Sequence, residues 1–138
     1  MMSGGREKSS AQRRIRAVVA DDFSDWRPVI SELLKVEDYV EMVARVDHGQ
    51  QAIEAVSVFK ADLLIIDLGI GLIDGLTTTE LLCQQFPSLV VILVTRMETP
   101  RLRTVCQSSG AKYFIQKTRF HEDWPQVLVE IKNSLLIS

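Results

Sequence analysis

The chain has 138 residues, enough for one domain with a genuine core and too few for two of ordinary size. Apolar residues make up 46% and charged ones 25%, a soluble globular composition that excludes disordered, collagen-like and disulfide-dense classes. The formal charge of −2 provides no overall field to recruit nucleic acid or an anionic membrane.

Residues 1–14 are rich in Ser, Gly, Arg and Lys and offer almost nothing to bury, so a disordered basic tail is expected ahead of one domain over 15–138. The tail carries Glu7 among its cations, which argues against a nucleic-acid arm, and it lacks the apolar stretch of a secretion signal. No apolar run in the chain approaches bilayer length, so no membrane contact and a cytoplasmic location are expected. Cys83 and Cys106 lie far apart with no histidine nearby in a ligand pattern, which speaks against zinc and for a reducing compartment.

From Ile15 onward, short β-rich runs alternate with stretches of helical period. The runs are IRAVVA (15–20), VEMVARV (40–46), DLLII (62–66), LVVILVT (89–95) and KYFIQ (112–116). Successive runs start roughly 25 residues apart, room for one strand, one helix and two turns, which is a βα repeat. Trp26, Val29, Ile30, Leu33 and Leu34 share one helical face after a plausible N-cap at Asp25, with Pro28 in the first turn. Ala52, Val56 and Phe59 mark a second helix, after a turn at Asp47, His48 and Gly49. Asp74 and Gly75 read as a turn before a third, whose face is Leu76, Leu81, Leu82 and Phe86 and whose end is Pro87. A fourth runs from about Pro100 to Ser109 and stops at Gly110; Trp124, Val127, Leu128, Ile131 and Leu135 describe a fifth. Met42, Met97, Trp26 and Trp124 are assigned to packing, and His48 and His121 to the surface. The central runs LLII and LVVILV are apolar on both faces, so the sheet is parallel, five-stranded and doubly wound, an α/β fold.

In such a sheet, ligands bind beyond the carboxyl ends of the strands. The first strand runs into Asp21 and Asp22, the third into Asp67, the fourth ends on Thr95 and the fifth runs into Lys117. With strand order 2-1-3-4-5 the second strand is an edge, and the four polar ends are neighbours. Gathered carboxylates repel one another unless a cation sits among them, and all-oxygen ligation suits Mg²⁺. A metal, an ammonium and a hydroxyl around one central carboxylate fit phosphoryl transfer onto Asp67.

The segments VVADDFSDW, LLIIDLGIGLIDG, VVILVT and GAKYFIQK resemble the receiver domain of two-component response regulators, and Asp22, Asp67, Thr95 and Lys117 stand at that family's spacing. The resemblance implies a flavodoxin-like (βα)5 fold, with the receiver domain over 15–138. It implies Asp67 as phosphoacceptor, with Thr95 and Lys117 as its catalytic partners, and Mg²⁺ held by Asp21, Asp22, Asp67 and the backbone carbonyl of Gly69. Thr95 and Phe114 would form the switch, reshaping the face of the fourth helix, fifth strand and fifth helix. A sensor histidine kinase or a phosphotransfer protein is the implied donor, and a homodimer through that face is a further implied partner. The domain would then catalyse only its own phosphorylation and dephosphorylation.

Three residues depart from the family pattern: Gly71 and Thr118 replace prolines, and Arg96 follows Thr95 where a small residue is usual. Gly71 is expected to loosen its loop, and Arg96 to narrow access or to shield a phosphate. These departures keep open a degenerate receiver-like interaction module that is never phosphorylated. A haloacid-dehalogenase type of phosphohydrolase needs a second aspartate where Gly69 stands, and a flavin binder needs a Gly, Ser or Thr loop where the first strand offers carboxylates. After Lys117 there is chain for one helix only, so direct DNA binding by this chain is not expected.

Overall fold

The computed structural model describes residues 14–21, 27–35 and 39–136. Its strands are β1 (Ile15–Ala20), β2 (Val40–Val46), β3 (Leu63–Asp67), β4 (Val90–Thr95) and β5 (Tyr113–Gln116). Its helices are α1 (Arg27–Lys35), α2 (Gly49–Phe59), α3 (Leu72–Gln85), α4 (Pro100–Ser108) and α5 (Phe120–Leu136). Short 3-10 turns follow β3 (Leu68–Ile70) and β5 (Lys117–Arg119). The sheet is parallel in every pairing and runs in the order β2-β1-β3-β4-β5, the flavodoxin-like order expected. Among the described residues, no helix is long and apolar enough to cross a membrane.

Period-two alternation along the strands divides the core into two layers. Ile15, Ala17 and Val19 pack with Ile30 and Leu34 of α1 and with Trp124, Leu128 and Ile131 of α5. Val18 and Ala20 face the other way, onto Ala52 and Val56 of α2, Leu82 of α3 and Cys106 of α4. Every residue of β3 and β4 is buried, as double coverage requires. Each leucine or isoleucine so buried contributes about 1.5–3 kcal/mol of transfer free energy, enough to fix the central strands firmly. Burial also raises the thiol pKa of Cys106 and of half-buried Cys83, more than the nearby Arg103 and Lys112 lower them.

Several elements differ from their sequence expectations. Helix α3 begins at Leu72, so Asp74 and Gly75 lie inside its first turns rather than before it. Both are committed to packing there: Asp74 Oδ2 accepts the Gly49 N–H at 3.0 Å and caps α2, while a Cβ on Gly75 would stand 2.7 Å from Leu68 Cδ2. Leu81 is 49% exposed, because Leu82 takes the place on the core, and Phe59 at the end of α2 is also exposed. Met97 is 67% exposed, a loop residue rather than a core one. Helix α5 starts a turn before Trp124, since buried Phe120 stacks on that indole at 5.4 Å between ring centroids. The tail at 1–13, Asp22, Asp25 and Trp26 lie outside the described residues.

Two outcomes follow from the packing. A Cβ on Gly49 would collide with Thr78 Oγ1 and stand 2.8 Å from Asp74 Oδ2, so Gly49→Ala should cost about 1–3 kcal/mol of stability in urea denaturation. The Tyr113 hydroxyl donates to Glu130 Oε1 at 2.9 Å, joining β5 to α5, and desolvation together with that carboxylate pushes its pKa up to about 12. The protonated phenol is the form the fold favours, so this contribution is complete below the ordinary tyrosine pKa of about 10 and fades as pH rises toward the folded value. Ultraviolet titration should show Tyr113 ionising late, and Glu130→Gln should bring it earlier.

Candidate functional site

The pairing of β1 with β3 sets Ala20 opposite Ile66, so Asp21 and Asp67 follow one another across the ladder. Each is 1% exposed. On the other side, Asp67 pairs with Val94, and Thr95 pairs with Gln116, after which comes Lys117. The strand ends thus bring Asp21, Asp67, Thr95 and Lys117 to one edge of the sheet, as the sequence implied. Asp22 lies outside the described residues.

Asp67 is held on both oxygens. Its Oδ1 accepts the Gly69 N–H at 2.9 Å, which caps the 3-10 turn Leu68–Ile70 and fixes Gly69 beside the carboxylate. Its Oδ2 stands 2.6 Å from Lys117 Nζ, and the lysine side chain is only 10% exposed. A carboxylate this dry is costly without its cation, so the pair is a structural commitment as well as a chemical one.

Thr95 is buried, but its hydroxyl is engaged away from Asp67. It donates to the Met97 carbonyl at 2.9 Å and accepts the Met97 N–H at 3.3 Å. Phe114 is half-buried at the edge of the core layer shared with α2, α3 and α4, and the Arg103 guanidinium covers its ring at 5.1 Å from the centroid. Sequence reasoning missed both partners. A backbone acceptor leaves no mark in the side-chain pattern, whereas the Thr99–Pro100 cap, which fixes the start of α4, could have located Arg103. A cavity of about 360 Å³ between α4, β5 and α5 is lined by Arg103, Cys106, Phe114, Asp123 and Val127 among others.

Gly71 does not leave its loop loose. It adopts φ 121°, donates its N–H to the Leu68 carbonyl at 3.0 Å and accepts from Gly75 N at 2.8 Å. Proline, with φ near −65° and no N–H, could do neither of the first two. Arg96 is exposed, and its carbonyl accepts from Gln116 Nε2 at 3.3 Å, tying the loop after β4 to the end of β5. Thr118 is exposed within the 3-10 turn that follows β5.

Two buried carboxylates at adjacent strand ends, Asp21 and Asp67, offer oxygen donors of the kind a hard divalent cation takes. Among the described residues, no group of three or more His, Cys, Asp or Glu gathers, and Asp22, the third carboxylate the sequence assigns here, lies outside them.

The family model of the response regulator receiver domain matches residues 17–128. The transcriptional regulatory protein DegU of Brevibacillus brevis is 24% identical over 106 residues, covering 77% of this chain and 45% of that protein. A protein-glutamate methylesterase/protein-glutamine glutaminase of Methanosarcina mazei is 29% identical over 92 residues, covering 67% of this chain and 25% of that protein. The chain therefore spans less than half the length of these relatives. The response regulator domain of Thermotoga maritima CheB has the same fold, with a TM-score of 0.75 at 24% identity over 88% of this chain and 96% of that one.

The dry ion pair makes its own prediction. Lys117→Met strands a buried carboxylate and should cost about 3 kcal/mol in urea denaturation. Adding Asp67→Asn should recover most of that loss, because the amide oxygen can still cap Gly69 while the charge is gone.

Proposed function

This chain belongs to the response regulator receiver domain family, and on that premise we propose that Asp67 accepts a phosphoryl group from a sensor histidine kinase or a phosphotransfer protein. The observation that carries the reading is the buried Asp67 carboxylate, held between the Gly69 N–H and the Lys117 ammonium. The cap orients the carboxylate, and the ammonium brought to it from two strands away both offsets its burial and sets a cation where charge would develop on a phosphoryl oxygen.

In the proposed reaction, a carboxylate oxygen of Asp67 attacks the phosphorus of the donor, forming a P–O bond as the donor's N–P bond breaks. The departing imidazole takes its proton from solvent. Lys117 stays with the reacting centre and offsets charge on a phosphoryl oxygen, while the Gly69 N–H keeps the carboxylate oriented. The Thr95 hydroxyl exchanges the Met97 carbonyl for a phosphoryl oxygen. Bound by Asp21, Asp22, Asp67 and the Gly69 carbonyl, Mg²⁺ would neutralise phosphoryl oxygens and align the donor. Movement of Thr95 toward the phosphate opens room for Phe114, so the face of α4, β5 and α5 changes and is read by a partner or by a second copy of the chain. The domain's chemistry is then limited to gaining and losing its own phosphate, a regulatory act in the cytoplasm.

With Mg²⁺ and acetyl phosphate, intact-mass measurement should show the wild type gaining one phosphoryl group. Asp67→Ala should gain none while keeping the wild-type circular dichroism spectrum. A wild type that stays at its starting mass, with or without magnesium, would instead identify an interaction module that works unphosphorylated.

A further inference from the structure

Thr95 and Phe114 sit on neighbouring strands, and one route between them is the ladder itself, where Leu93 pairs with Phe114 and Thr95 with Gln116. A second route runs outside the sheet. Met97 holds the Thr95 hydroxyl through both its N–H and its carbonyl. The next residue, Glu98, accepts Arg103 Nε at 3.0 Å and pairs with Arg103 Nη2 as well. The same guanidinium lies over the Phe114 ring. Helix α4 sets Arg103 in place: the Thr99 hydroxyl accepts from Leu102 N at 3.1 Å, and the Thr99 carbonyl accepts from Arg103 N at 2.9 Å. The contacts run without a break from residue 95 through 97, 98 and 103 to 114.

We propose that Glu98 and Arg103 form a latch over Phe114, with Arg103 a positioning residue that couples the hydroxyl of Thr95 to the aromatic ring. The inference rests on the reading of Thr95 and Phe114 as a switch pair and adds the part that links them. Arginine suits the task because one planar group can direct two N–H groups at a single carboxylate oxygen, Glu98 Oε2, and lie over a ring at the same time. Glu98 is bonded along the chain to Met97, so drawing the Thr95 hydroxyl away from Met97 releases the segment that anchors Arg103. By linkage, removing the latch makes the hydroxyl easier to draw inward. The Arg103 and Glu98 side chains are 42% and 32% exposed, so the latch acts as a bias of a few-fold on a two-state element rather than as a lock.

Nuclear magnetic resonance of the free protein separates the two routes. Thr95→Val, which keeps the side-chain shape and removes the hydroxyl, should shift the Phe114 ring resonances in the wild-type background. In the Arg103→Ala background the same substitution should leave them in place, and Arg103→Lys should restore part of the response. An equal response with and without Arg103 would place the coupling in the ladder and overturn the latch, as would no response in either. In a titration with Mg²⁺ and beryllofluoride, Arg103→Ala should bind about threefold more tightly than wild type, with unchanged or weaker binding counting against the latch. A wild type that takes up no beryllofluoride would sink the phosphoacceptor reading, and the ring resonances would still decide the latch by themselves.

Discussion

Lys117 must reach Asp67 across an intervening strand, and that reach organises the functional edge of the sheet. Adjacent strands lie about 4.8 Å apart, so the ends of β3 and β5 are roughly 10 Å from one another with β4 between them. An extended lysine can close that distance only if the residue at the end of β4 leaves a gap and if β5 stops in register. Thr95 is small, and it pairs with Gln116, the last residue before Lys117. The 2.6 Å contact is thus a measure of how well three parallel strands end together. The two apolar layers hold those strands in register, and the ion pair is where a slip by one residue would be felt first.

The loops beyond the strand ends are shaped to keep the carboxylate fixed. Asp67 caps its own 3-10 turn; Gly71 ends that turn in a conformation that glycine favours; Gly75 lets α3 close on Leu68. Asp74 then reaches from α3 to cap α2 at Gly49, so the two helices on that face support one another near the site. Rigidity is concentrated at Asp67. Thr95 differs: its hydroxyl bonds to the backbone of Met97, in an exposed loop rather than in the sheet. On the proposed reading of the site, Asp67 is the group that stays and Thr95 the one that moves.

The βα alternation was plain in the sequence because strands covered on both faces must be apolar throughout, as LLII and VVILV are. The residues at the strand ends were legible only as a set: one charge after an apolar strand can be a cap, as Asp67 is for Leu68–Ile70, but polar groups at four neighbouring strand ends share a single edge. What the sequence concealed is of two kinds. The start of α3 was hidden by Asp74 and Gly75, residues that favour turns by their local chemistry but here serve contacts with Gly49 on another helix and with Leu68 in the preceding turn. The partners of Thr95 and Phe114 were hidden because one is a main-chain group and the other a surface arginine, and neither interrupts a hydrophobic pattern. Leu81 shows the limit of periodicity: of the adjacent pair Leu81 and Leu82 only the second is buried, and the pattern alone does not choose between them.

The setting of the two thiols has a practical side. Cys106 is enclosed in the sheet layer, Cys83 donates to the Gly110 carbonyl at 3.4 Å, and both are held toward the neutral form. Since only the thiolate attacks, these native sulfurs should react slowly with alkylating reagents near neutral pH. A cysteine placed at the solvent-facing position 97 would therefore be tagged well ahead of them, giving a spectroscopic reporter on the loop after β4 with little background from the rest of the molecule.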